Sequence, residues 1–170
     1  MAAMNVTAEV VTVEDVEIDM EAKAKKYDTQ TRAAGDEYQM TSDVKNFSKH
    51  RVDKVDTHFW HGRTLTNFPG LPVNTGVAMR QAGTLPEGVK WGITYTDGDQ
   101  ASNRKFIVAV HGPMCKIYVE TGPIGPVDRN VVEVKLDQHS GNKAEYTDPI
   151  LGGKIVAEIT GNYAVARFYN

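Results

Sequence analysis

A chain of 170 residues with a formal net charge of −3 and a pI near 5.9 has the length of one domain and lacks the basic excess of a nucleic-acid binder. No apolar run reaches the roughly 18–20 residues that a membrane-crossing helix needs, and the acidic opening MAAMNVTAEVVTVEDVEIDM lacks the basic-then-apolar order of a secretion signal. The single Cys115 cannot close an internal disulfide, so a reducing, cytoplasmic home is expected, and the sequons at Asn5 and Asn46 carry no weight there.

Residues 1–11 read as a loose start with a short strand at 9–11. In VTVEDVEIDMEAKAKKYDTQTRAAG, Thr12 is a candidate cap, and Glu14 and Asp15 suit the positive end of a helix dipole. Val13, Val16, Met20, Ala24 and Tyr27 recur at helical spacing, Lys23, Lys25 and Lys26 follow in the later turns, and Gly35 can terminate. These predict one amphipathic helix over 13–30, its charges forming a solvated face.

After Gly35 short runs rich in Val, Tyr, Thr and Phe alternate with Gly, Pro, Asn and Asp. Candidate strands cover 37–41, 50–58, 76–82, 89–96, 105–111, 115–121, 130–137 and 154–168, the last broken at Gly161-Asn162 by a bend or bulge. In KWGITYT, Trp91, Ile93 and Tyr95 alternate as on a half-buried strand, and FIVAVHG reads as a central one. Turn signals are dense, including Asp97-Gly98-Asp99 and Pro123-Ile124-Gly125-Pro126. The expectation is a single domain over 1–170: an N-terminal segment, 1–35, carrying the helix, and an antiparallel β-sandwich over 36–170. No repeat or linker interrupts it.

The chemistry-bearing motifs are few. THFWHGRT holds His58 and His61, but on a strand two positions three apart do not share a face. With no Cys-x-x-Cys or His-Glu-x-x-His, no metal is expected, and with no glycine-rich phosphate loop, no cofactor. A Gly-x-Ser-x-Gly elbow is absent. Cys115 beside Lys116 reads as a small buried residue at the start of a strand rather than a nucleophile. What remains is a set of rings at apparent strand ends: Trp60, His61, Trp91, Tyr95, His111 and Tyr118. Amphipathic rings suit small-ligand, sugar or lipid-headgroup pockets, and equally suit a sandwich core.

The order of these pieces carries a resemblance. An aromatic strand ends Phe59-Trp60-His61-Gly62, a loop holds Pro69 and Pro72, and Asn74 and Gly76 precede a strand. A Trp/Tyr strand, a polar hairpin and an apolar strand ending His111-Gly112-Pro113 follow, then Lys116-Ile117-Tyr118-Val119. Over residues 40–122 and 154–168 this resembles the actinoporin- and nakanori-like β-sandwich, and within it the plant 23 kDa jasmonate-induced proteins. The resemblance implies a soluble stress- or defence-related protein that recognises a small polar ligand, glycan or lipid headgroup at one end of the sandwich. It implies ligand contacts by Trp60, His61, Trp91, His111, Pro113 and Tyr118, His61 and His111 replacing serines of the cytolysin headgroup site. Two departures argue against pore formation. The membrane-entering loop is collapsed to residues 112–115, and the stretch 126–133 has no tyrosine cluster for phosphocholine. The alternative is a small-metabolite enzyme with His61 and His111 as a general acid–base pair. A third reading is self-assembly through an exposed edge strand.

Overall fold

The computed structural model describes residues 6–34, 37–98 and 103–170. Among these the chain forms eleven strands and two helices: β1 Val10–Thr12, α1 Met20–Ala34, β2 Tyr38–Asn46, β3 Asp53–His61, β4 Arg63–Thr64, β5 Thr75–Gly83, β6 Lys90–Thr96, β7 Arg104–His111, β8 Lys116–Pro123, α2 Arg129–Gln138, β9 Lys143–Thr147, β10 Lys154–Thr160 and β11 Tyr163–Tyr169. The expected helix terminator Gly35 and the hairpin tip at 99–102 lie outside the described residues.

Two sheets stack as expected of a sandwich. One is seven-stranded, in the order β1-β5-β2-β11-β10-β9 with β4 also paired to β5; the other is four-stranded, β3-β6-β7-β8. The side-chain alternation of strands sends Trp91, Ile93 and Tyr95 of β6 and Phe106, Val108 and Val110 of β7 inward, where they meet Met40, Val44, Ile155 and Phe168 of the facing sheet in one core cluster. The seven-stranded sheet is mixed rather than antiparallel, because β11 runs parallel to β2.

Four expectations need correction. The helix begins at Met20, not residue 13: Val10–Thr12 extend against β5, the Val13 amide donates to the Asn74 carbonyl, and Asp19 accepts from the Ala22 amide as the cap. The N-terminal segment therefore contributes a strand to the sheet as well as a helix. Residues 130–137 are helical, not extended. Asp128 caps α2 by accepting from the Asn130 and Val131 amides, and Val132 and Leu136, one turn apart, are its buried face. Gly161-Asn162 is neither bend nor bulge but a two-residue hairpin turn, since Thr160 pairs with Tyr163 and Gly161 takes φ +56° at the first central position. Finally, the polar strand β9 joins the edge of the larger sheet beside β10.

The strand ends gather at two rims. At one, Arg104 and the buried Asp97 pair at 2.8 Å across the β6–β7 hairpin. At the other, His61, Lys90 and His111 end or begin their strands, next to the turn at 112–115 and the loop at 84–89. Glycines allow this second rim to close. A Cβ on Gly83 would sit 1.9 Å from the Gly88 carbonyl oxygen, and one on Gly88 2.5 Å from the Pro113 ring. Loop and turn therefore pack backbone to ring with no room for a side chain.

Candidate functional site

The four-stranded sheet lays its outward side chains in register rows. His61 pairs with Lys90, Lys90 with His111, and His111 with Lys116, so one row of imidazoles and ammoniums crosses the rim. A β-bulge between Phe59 and His61 sets Trp60 and His61 together opposite Lys90. Helix α2 lies over this face. Its Glu133 and Asp137 carboxylates accept from the Lys90 ammonium at 2.7 and 2.8 Å, and its last-turn carbonyl at Asp137 accepts from Lys116. The Lys90 side chain is only 7% exposed. Burial works against its charge, but the hydrogen bonds that its ammonium donates to Asp137 and Glu133 outweigh burial and hold its pKa above the ordinary value.

His111 is half-buried, with Nε2 3.1 Å from the Glu87 carbonyl oxygen. Burial, helped by the charges of Lys90 and His61, depresses its pKa. Two interstrand spacings separate it from His61, roughly 10 Å at the backbone, with Lys90 between them. His61 is exposed, and Tyr95 lies in the core with its hydroxyl on the Pro69 carbonyl. The two imidazoles thus share a row and a rim but do not converge with Tyr95 on one enclosed point.

The remaining expected residues divide. Tyr118 is outward on β8, with the Lys135 ammonium 5.8 Å from its ring centre; burial and Glu120 push its phenol above the ordinary value. Trp60 is half-buried under α2, beside Ile107, Ala109, Val132 and Leu136. The structure places Trp91 inside: it is fully buried, stacked on Phe59 at 6.1 Å, and has no surface at the rim. Its position in the alternation of β6 is inward, the opposite of Lys90. Pro113 lies in the turn beyond β7, where the Cys115 amide donates to the Gly112 carbonyl and Cys115 adopts φ +51°.

Pro113 borders an open cavity of about 370 Å³ between that turn, the β10–β11 turn and α1. Tyr38, Cys115 and Asn162 line it from the sandwich, and Ala24, Lys25 and Asp28 from the helix. The volume is within the usual range for small-ligand sites. Its walls offer an aromatic ring, a thiol, an amide and charges of both signs. The Tyr38 hydroxyl is buried with no hydrogen-bond partner among the described residues, and burial with the nearby Cys115 raises its pKa. The Cys115 thiol is directed at the Gly161 carbonyl, 3.6 Å away. Sequence reasoning missed Tyr38, Lys25, Asp28 and the Lys90–Glu133–Asp137 cluster, since their meeting depends on sheet register and on where two helices dock.

Among the described residues no group of three or more His, Cys, Asp or Glu side chains is placed to hold a metal ion, and no helix is long and apolar enough to cross a membrane. No family model and no curated protein matches the sequence. Among solved structures the fold is similar to that of the lipid-binding protein Nakanori, with a TM-score of 0.68 and 13% identity over 88% of this chain and 79% of that one. Xerocomus chrysenteron lectin XCL also matches, at a TM-score of 0.49 and 12% identity over 78% of this chain and 99% of the lectin. The chain therefore has the Nakanori-like β-sandwich fold.

Proposed function

We propose that this protein is a binding module that takes the polar headgroup of a lipid, or a glycan of similar size, at the rim formed by His111, Pro113 and the cavity beneath α1. The observation that carries this reading is the open cavity of about 370 Å³ at that rim; a fold shared with a lipid-binding protein supports it. A wall bearing Lys25 and Asp28 suits a zwitterion or a polyol better than a bare anion. Tyr38 supplies one aromatic face, fewer than a quaternary-ammonium cage uses. His61 and Lys116 belong to the adjacent row, where they would meet the part of a ligand extending past Pro113.

The stress or defence setting and the kinship with plant jasmonate-induced proteins are part of the same proposal, supported by the residue pattern of 40–122 and 154–168 alone. Co-sedimentation with phosphatidylcholine liposomes, with and without sphingomyelin, together with a glycan array, tests the binding role. Binding at the rim, whichever platform reports it, is expected to weaken about tenfold in Lys25→Glu, which reverses one charge on an exposed part of the cavity wall and removes about 1.4 kcal/mol. Binding that survives this change and a Tyr38→Ala change undiminished would locate the ligand elsewhere.

A further inference from the structure

We propose that the outer face of the four-stranded sheet carries a second site, distinct from the rim cavity, for a short neutral glycan. It is built on the part of THFWHGRT that the rim does not use. Asp56, His58 and Trp60 alternate along β3 and so share its outward face. Across the ladder, His58 pairs with Gly92, and a Cβ there would lie 3.2 Å from Trp60 Cη2. The missing side chain lets the indole lie across β6, and the His58 ring meets it edge-on at 5.2 Å.

Two hollows run along this face. The inner one, about 20 Å³, is bordered by Trp60, His58 and Gly92; the outer one, about 200 Å³, continues past Val127 toward Thr96. Asp56, Thr94 and Val127 border both, so the hollows form one groove. From Gly92 to Thr96 the strand advances about 13 Å, enough for a short oligosaccharide.

Three observations select the ligand class. First, the Trp60 indole nitrogen is buried and finds no acceptor among the described residues. A buried donor without a partner costs about 1–3 kcal/mol, and Trp60 borders the inner hollow, whose volume of about 20 Å³ is that of one oxygen-sized group. Second, the groove's charged pair is internally neutral. The Arg129 guanidinium grips both Asp56 oxygens, each 2.7 Å from Nη2, while both side chains remain 40–45% exposed. A carboxylate with spare lone pairs next to a guanidinium with spare N–H groups suits adjacent hydroxyls, and Lys105, at the outer end of the groove, donates to the Pro126 carbonyl oxygen at 3.4 Å. Third, Ile107, Val127 and Val132 give the walls apolar surface beside the hydroxyl-bearing Thr94 and Thr96, a mixture that suits the C–H faces and hydroxyls of a sugar and leaves a purely aliphatic ligand without use for the N–H.

The test is a titration of the ¹⁵N-labelled full chain with neutral mono- to tetrasaccharides chosen from an array. The chain has two tryptophans, so two indole N–H signals, which a Trp60→Phe variant assigns. The expected result is a shift of the Trp60 indole signal and of the Thr94 and Arg129 amides, with Lys116 and Cys115 unmoved. Affinity should fall at least tenfold in Asp56→Ala/Arg129→Ala and persist in Lys25→Glu, which separates this site from the rim. Because the wild-type spectrum is read first, the inference does not depend on how any variant folds. No neutral saccharide shifting the Trp60 signal would overturn it, as would undiminished binding by the folded double variant. Repeating the titration with the glycan on a glycolipid liposome distinguishes membrane-borne from free sugar, and binding in either form supports the site.

Discussion

At His111 the fold holds an imidazole half-buried beside the Lys90 ammonium. Its folded pKa lies below the ordinary value of about 6.5, so between the two values the unfolded chain binds a proton that the folded chain refuses. Stability from the neutral ring is then complete above about pH 6.5 and is lost as pH falls through that value toward the depressed one. Burial is the larger cause, with Lys90 and His61 adding repulsion and Asp137 opposing it. Urea midpoints measured from pH 8 to pH 5 should fall less steeply for His111→Gln than for the wild type; parallel slopes would dismiss the effect. At this scale the sequence was readable in kind but not in neighbourhood. A histidine ending an apolar strand before Gly-Pro reads as a rim residue, and His111 is one. That Lys90 stands between it and His61 is a fact of register, and periodicity alone does not number the rungs of a ladder. Trp91 shows the converse: its alternation with Ile93 and Tyr95 already indicated an inward face, and a ligand contact conflicted with that pattern.

Helix α2 shows how few apolar contacts hold a short element. It buries Val132 and Leu136 and is otherwise tethered by charge: Lys90 to Glu133 and Asp137, Arg129 to Asp56, and Lys135 to Glu120 at 3.6 Å. The exposed pairs contribute little individually, so Lys90, nearly buried, is the strong tether. Removing one member of a fully buried pair costs about 3–5 kcal/mol. Glu133 and Asp137 keep 30% and 50% exposure and would rehydrate in part. Lys90→Met is therefore expected to cost about 2 kcal/mol. Amide hydrogen exchange should quicken across 129–138 and stay unchanged in β6; uniform acceleration would show a global effect instead. This helix was the element hardest to read. In NVVEVKL three valines favour a strand by propensity, and the assignment turns on weaker signals, the Asp128 cap and the Val132–Leu136 pair, which tertiary packing makes decisive. The strand β9 was missed for the opposite reason: KAEYT buries Ala144 alone, so it carries no hydrophobic pattern. The β3, β5, β6, β7 and β8 strands were legible because both packing faces and their glycine-rich boundaries are written locally.

For the molecule as a whole, the seven-stranded sheet is completed from the far end of the chain. Strand β11 runs parallel to β2, Tyr163 pairing with Thr41, and sits between β2 and β10. A parallel neighbour cannot come from a short hairpin, so this pairing departs from the antiparallel pattern that the closely spaced strands of the sandwich otherwise follow. The same connection has a kinetic consequence. Closing so long a stretch of chain costs entropy before any contact is gained, and topologies dominated by such pairings fold in milliseconds to seconds. Phe168 is the anchor of that closure: it is fully buried, stacks on Phe106 at 4.8 Å and meets Tyr95 edge-on at 5.7 Å. Phe168→Ala should cost about 4 kcal/mol, a large part of the 5–15 kcal/mol typical of a domain. If β11 docks after the rate-limiting step, most of that loss falls on the unfolding rate, which rises by roughly two orders of magnitude while refolding slows only a few-fold. Stopped-flow fluorescence of the buried Trp91, in a Trp60→Phe background, separates the two arms. A refolding arm slowed as much as the unfolding arm is quickened would instead place the β2–β11 pairing in the folding nucleus, with the sandwich closing before its smaller sheet is complete.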